Sequence, residues 1–293
     1  MKNLVYGFIT YIIILTSVSV PIILKLDIEI ALWCLVGTSI FRFIWLIILL
    51  KKYAEFKLSF VFIKEYLKLA YPLILSYLLS GSAEYIDNLI ISLKFNFDSL
   101  AVFRYGAKEL PFSAGMANGL SNSVISEFSS HEKTQRSIAL IKAKSERLMH
   151  ILFPISIFIL LMANTLYPLI YRPDFGLSSD IFMVYLLLIM SRLLFPHTIL
   201  IGLKQNKTVL QASLIAITLN IIISLFLIPY YGIIGVALAT IFVYGIEKAL
   251  LMWLVYKRHG IKPAEYTPVL TYLIYSAVLI LIFVLIDRRI IKV

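Results

Sequence analysis

Apolar residues along this chain gather into blocks of about 20, the length a helix needs to cross a bilayer's hydrocarbon core, and polar residues collect between them. Nine such blocks are predicted as helices, at 4–24, 28–50, 66–93, 99–127, 146–170, 180–203, 208–229, 232–256 and 267–286. The expectation is an all-α polytopic membrane bundle. Eight of the blocks are clear. The exception, 99–127, carries Arg104, Lys108, Glu109, Pro111, Asn118 and Asn122 together with several Gly and Ser. A segment this polar cannot face lipid all round, so if it spans it turns its polar side to other helices or to water, which points to a cavity.

Composition closes off the soluble alternative. Of 293 residues, 61% are hydrophobic and 15% charged, against roughly 45–50% and about 25% in soluble domains. The single cysteine, Cys34, excludes an intramolecular disulfide framework and a cysteine-built zinc site, since both need partners. A net charge of +11 would suggest nucleic acid in a soluble chain, but here topology accounts for it and no nucleic-acid partner is expected. Counted by alternate loops, with Lys68 and Arg147 at block edges taken with the loops they adjoin, sixteen Lys and Arg fall on one side, six on the other and five within blocks. The amino terminus is therefore expected in the cytoplasm, with the chain multi-pass in the cell's inner membrane. No small-residue cleavage site follows the first short apolar stretch, so the first block is expected to remain as an anchor.

Nine spans would leave the basic end, with Arg288, Arg289 and Lys292, on the side that the charge rule disfavours, so the preferred expectation is a chain that stops one helix early. The charged stretch 51–65 is the main internal break. It separates 1–50 from a six-helix group at 66–256, followed by one further membrane helix in 257–293.

Between Leu219 and Thr240 the sequence reads LNIIISLFLIPYYGIIGVALAT. Pro229 is expected to end one apolar helix, and Gly232, Gly235, Ala237 and Ala239 to open the next at close packing distance. Together with YPLILSYLLSGSAEYIDNLII at 71–91 and GLKQNKTVLQ at 202–211, this pattern resembles the multidrug, oligosaccharidyl-lipid and polysaccharide flippase superfamily. Among its branches it is most similar to the polysaccharide (O-antigen or capsule repeat-unit, Wzx-type) flippases. The resemblance implies that 66–256 is the second lobe of a two-lobe fold, that 4–24 and 28–50 close an incomplete first lobe, and that 267–286 opens a carboxyl-terminal pair. About four helices of the first lobe and the final helix are then lacking. Implied too are transport by alternating access of an undecaprenyl-pyrophosphate-linked oligosaccharide from the cytoplasmic to the outer leaflet, and, as partners, that lipid-linked substrate, the bilayer and the polysaccharide polymerase machinery. Two readings stay open beside it: a cation-coupled multidrug antiporter, with Glu84 and Asp87 binding drug and ion, and a non-transporting fragment or assembly partner.

Ionisable groups at membrane depth are the natural candidates for function. Glu84 and Asp87, at i and i+3, share a helix face and suit a proton or cation site; the plainer alternative pairs them with Arg104 or Lys108 to hold the bundle together. Arg104 and Lys108, at i and i+4, and Arg192 from another helix, are candidates for binding the carrier's pyrophosphate, although Arg104 near a helix end can equally snorkel to the interface. Resemblance to the lipid II flippase branch implies a sodium site from Asp87, Asn220, the carbonyl of Val236 and Thr240. Ser224 stands where that branch has a second aspartate, which leaves the site one charge short. The coupling ion is expected to be Na+ or H+, with no other cofactor. His197, after Pro196, is expected to bond a carbonyl that the proline frees, and Glu247 and Lys248 to lie at the interface. No GxxxxGK[ST] or HExxH motif and no large polar loop is present, so the chain is not expected to be an enzyme.

Overall fold

The computed structural model describes residues 2–53, 59–125, 127–128, 131–170 and 176–288. Of the charges counted above, Lys57, Arg172, Arg289 and Lys292 lie outside the described residues. Every regular element among those described is helical, thirteen helices in all. They fall into two compact units, Met1–Ile63 and Lys64–Val293.

The first unit holds α1 (Lys2–Ile23) and α2 (Ile28–Tyr53). Between them the chain turns at Lys25 with φ 54°, and Leu26 N donates to the carbonyl of Pro21. Tyr6 and Trp45 meet edge to face with centroids 5.1 Å apart, so the two helices run back along each other. Phe8, Leu15, Trp33 and Phe43 are exposed, as suits helices bathed in lipid.

The second unit contains most of α3 (Phe60–Lys94), then α4 (Phe97–Gly106), α5 (Ser113–Ile125), α6 (His131–Ile170), α7 (Gly176–Leu186), α8 (Ile189–Arg192), α9 (Pro196–Gly202), α10 (Asn206–Tyr231), α11 (Ile233–His259), α12 (Pro263–Tyr266) and α13 (Val269–Asp287). Six helical stretches among the described residues are long and apolar enough to cross a membrane: Tyr6–Ile23, Ile28–Lys52, Thr134–Tyr167, Asn206–Tyr231, Ile233–His259 and Val269–Asp287. Gly176–Arg192 with Pro196–Gly202, bent by 44°, makes a seventh.

Against the nine expected spans, the two others depart for physical reasons. Block 66–93 does form helix, inside the 35-residue α3, but Lys68, Glu84 and Asp87, with Pro72, Asn88, a Gly and several Ser and Tyr, keep it below the apolarity of the rest. Block 99–127 is broken into α4 and α5. Asn96 caps α4 by accepting from Ser99 N at 2.9 Å, Pro111 sits in the break, and Phe112 takes φ 67°. Gly106 ends α4 against α7, where a Cβ would stand 2.6 Å from the carbonyl oxygen of Ser178.

The stretch between the expected blocks 99–127 and 146–170 is largely helical, as part of the 40-residue α6 that begins at His131. From 131 to 145 it has no Gly or Pro to stop it, and Lys, Ala and Arg, good helix formers, recur along it. Pro229 does not end its helix either; α10 continues to Tyr231 and the turn is made by Gly232 at φ 58°, a conformation glycine adopts without steric cost. Gly235 then lets α11 lie close to α10, since a Cβ there would be 2.7 Å from the carbonyl oxygen of Leu227. At the carboxyl end α13 packs on α6, with the rings of Phe153 and Tyr275 stacked at 5.2 Å. The interior is apolar, built around residues such as Phe153, Leu186, Leu193 and Leu279, and around Ile91, Phe103, Ile181 and Val236. Inside a bilayer such packing, rather than escape from water, holds helices together.

Candidate functional site

Asp87 is turned inward by the same helical face that buries Ile90 and Ile91, and it is 1% exposed. Its Oδ2 accepts from the hydroxyl of Thr240 at 2.7 Å and from that of Tyr185 at 3.3 Å. The amide of Asn220 donates to Thr240 Oγ1 at 3.0 Å. Thr240 Oγ1 also lies 3.2 Å from the carbonyl of Val236, but a hydroxyl has one proton, and the shorter, charge-assisted bond to Asp87 takes it. Four helices meet here: α3, α7, α10 and α11.

Acceptors outnumber donors in this cluster. Asn220 Oδ1, and Ser224 Oγ one turn further along α10, are buried with no hydrogen-bond partner, and such groups ordinarily find one. Oxygen atoms from a carboxylate, an amide, a hydroxyl and a backbone carbonyl are the donor set of a hard cation. Among the described residues no cluster of three His, Cys, Asp or Glu is present, so the donors do not suit a transition metal. The residues fit a small monovalent cation.

Asp87, Asn220, Val236 and Thr240, singled out together in the sequence, are thus brought together in space. Glu84 is on α3, but its side chain lies outside the described residues. Tyr185 escaped sequence reasoning: it sits in the apolar run IFMVYLLLIM and is one of 18 tyrosines, so nothing local marks it.

The three basic candidates do not assemble as expected. Arg104 and Lys108 are exposed and border a cleft of 470 Å³ with Phe97, Leu100 and Tyr105. The helix ends at Gly106, so Lys108 stands in the break after it and not one turn along the same face. Arg192 does not join them. Its guanidinium makes two bonds to the carboxylate of Glu109, Nε to Oε2 at 2.9 Å and Nη2 to Oε1, and lies 5.6 Å over the ring of Tyr244.

Arg192 instead lines a polar cavity of 560 Å³ with Tyr77, Asn118, Tyr244, Glu247 and Lys248. Glu247 and Lys248, expected at the interface, are therefore interior wall residues. They sit eleven and twelve residues beyond Val236, three turns down α11, and the full helix reaches on to His259, which leaves them well short of its end. His197 lines the same cavity, its ring edge-on to Tyr77 at 6.3 Å, in place of the expected bond to a freed carbonyl.

Residues 7–291 match the family described as "Lipid II flippase MurJ". No curated protein matches the chain. A solved structure, the lipid II flippase MurJ in an inward closed conformation, superposes with a TM-score of 0.59 at 19% identity, covering 97% of this chain and 60% of that one. The chain thus spans 60% of the length of that flippase, and at this identity the likeness is one of fold. The superfamily agrees with the sequence motifs, but the branch moves from the polysaccharide flippases to the lipid II flippases. The motifs at 71–91, 202–211 and 219–240 are built of common membrane residues, which serve the fold and do not separate branches.

Proposed function

The chain belongs to the lipid II flippase MurJ family, and on that premise we propose that it takes part in carrying a polyprenyl-pyrophosphate-linked glycan precursor, of the lipid II class, from the cytoplasmic to the outer leaflet of the inner membrane by alternating access. The observation that carries this reading is the family match running from residue 7 to residue 291. The loop charges support an amino terminus in the cytoplasm.

Arg104 and Lys108 are assigned to the pyrophosphate, because they are exposed cations beside one cleft and a dense anion leaving the headgroup layer needs such charge. Arg192 is assigned to structure, since Glu109 already answers its charge; it ties α8 to the break after α4. Asp87, Asn220, Val236 and Thr240 are assigned to the coupling ion, Na+ in the first instance and H+ as the variant. Bound there, a cation would neutralise the carboxylate, and its electrochemical gradient across the membrane would drive the cycle. The residues themselves join α3, α10 and α11, so the occupancy of one small cluster bears on three helices at once.

The test is made on cells depleted of this chain, in which lipid II and polyprenyl-linked oligosaccharide repeat units are both measured on the cytoplasmic leaflet. Accumulation of lipid II is expected, relieved by restoring the chain but not by the R104A/K108A variant. Accumulation of repeat units alone would move the substrate to the polysaccharide class. No accumulation of either lipid would overturn the proposal.

A further inference from the structure

The seam between α10 and α11 is polar at several successive turns. On α11, Val236, Thr240, Tyr244 and Glu247 follow one another on a single face, and on α10 so do Ser224, Asn220 and Ser213. Two rungs bridge the helices: Asn220 to Thr240 at 3.0 Å, and Ser213 to Glu247 at 3.5 Å, the long limit of a hydrogen bond. Between the rungs lies a cavity of 20 Å³, lined by Ser213, Ala216, Asn220, Tyr244 and Glu247 among others. That is space for about one water, or for one small ion stripped of most of its shell.

Tyr244 and Glu247 line this small cavity and also the 560 Å³ cavity. They are the wall between the two. On the far side of the small cavity stands Asn220, whose Oδ1 is buried with no hydrogen-bond partner. Large cavity, Glu247, small cavity, Asn220 and the Asp87 cluster therefore form one line of oxygen groups at membrane depth.

The charges along it are ordered. Arg192 is answered by Glu109, and Lys248 is the sequence neighbour of Glu247. Among the charged residues, only Glu247 lines both cavities. An ion leaving the large cavity for the narrow seam meets a carboxylate first, which favours cations, and oxygen ligands replace its lost water.

We propose that Glu247 and Tyr244 form the access route by which a monovalent cation passes from the 560 Å³ cavity through the α10–α11 seam to the Asp87 cluster. This rests on the reading that the cluster holds such a cation. Glu247 acts on passage and does not touch the ion at rest, so its loss changes rates more than affinity.

The experiment uses the whole purified chain in lipid nanodiscs and radioactive sodium, followed both at equilibrium and as a time course of binding and release. Glu247→Gln is expected to slow binding and release about tenfold each, with equilibrium affinity within about twofold, because a barrier is raised between unchanged end states. Glu247→Asp should restore the rates. Ala216→Leu, which fills the small cavity and leaves every charge in place, should slow both as well. Wild-type rates in both E247Q and A216L would overturn the route while leaving the cation cluster standing. Absence of sodium binding by the wild-type chain would overturn the cluster reading and the route with it.

Discussion

The unit Lys64–Val293 holds a half-buried carboxylate, Glu109, and a fully buried one, Asp87, in two different ways. Glu109 meets a guanidinium through two bonds, so charge is set against charge and the pair is closed. Asp87 meets the hydroxyls of Thr240 and Tyr185, and the oxygens around it are left with more lone pairs than protons. The first arrangement is complete as it stands and ties two backbone breaks together. The second has oxygen left over, as Asn220 Oδ1 and Ser224 Oγ show. In a low-dielectric interior such a surplus is costly unless something positive answers it. Two carboxylates of one unit thus sit in chemically different surroundings, one matched by a cation and one by neutral hydroxyls.

The contrast is sharpened most by removing each carboxylate. Asp87→Asn should abolish sodium binding by the whole chain, a loss of at least about tenfold in affinity for one charge removed, while leaving the helical content by circular dichroism unchanged. Retained binding would break the distinction between the two carboxylates. Glu109→Ala should leave sodium binding intact but destabilise the chain by about 1–3 kcal/mol in thermal unfolding, because Arg192 is left partly buried without its partner. Stability should return in the charge-swapped pair E109R/R192E, as a double-mutant comparison would show.

Smaller effects follow within the cluster. Thr240→Val removes both the donor to Asp87 and the acceptor for Asn220, and should lower stability by about 1–2 kcal/mol; Thr240→Ser should recover most of it. Tyr185→Phe gives up a single bond of 3.3 Å and should shift the unfolding free energy by at most about 1 kcal/mol. A Tyr185→Phe effect larger than that of Thr240→Val would show that the tyrosine, and not the α10–α11 seam, holds the carboxylate in place.

Much of the cluster was named beforehand through the resemblance to the lipid II flippase branch, which implied Asp87, Asn220, Val236 and Thr240, and regular helices keep those positions in register. Asn220 and Thr240 face each other across a tight turn, and the turn's glycines are visible in LFLIPYYGIIGVALAT. The turn itself was misplaced: Pro229 lies inside α10, since a proline near a helix end removes only one bond that the last turn can spare. The basic trio was legible only in part: Arg104 and Lys108 border one cleft, but Arg192 pairs with Glu109 instead of joining them. Placing Arg104 and Lys108 on one face assumed an unbroken helix, and α4 stops at Gly106. Tyr185 and the Glu247 wall were missed for a further reason: each matters through what it meets on other helices, and neither carries a local mark.

What the sequence determined by itself is the all-helical membrane class and the position of most helices, because a bilayer imposes length and apolarity on every span separately, and each block satisfies that demand without reference to the rest. Only the tertiary structure decided which carboxylate meets a guanidinium and which meets hydroxyls. That depends on distances between helices far apart in the chain, such as the 153 positions separating Asp87 from Thr240, and it is set by how α3, α7, α10 and α11 pack together rather than by any residue's own preference.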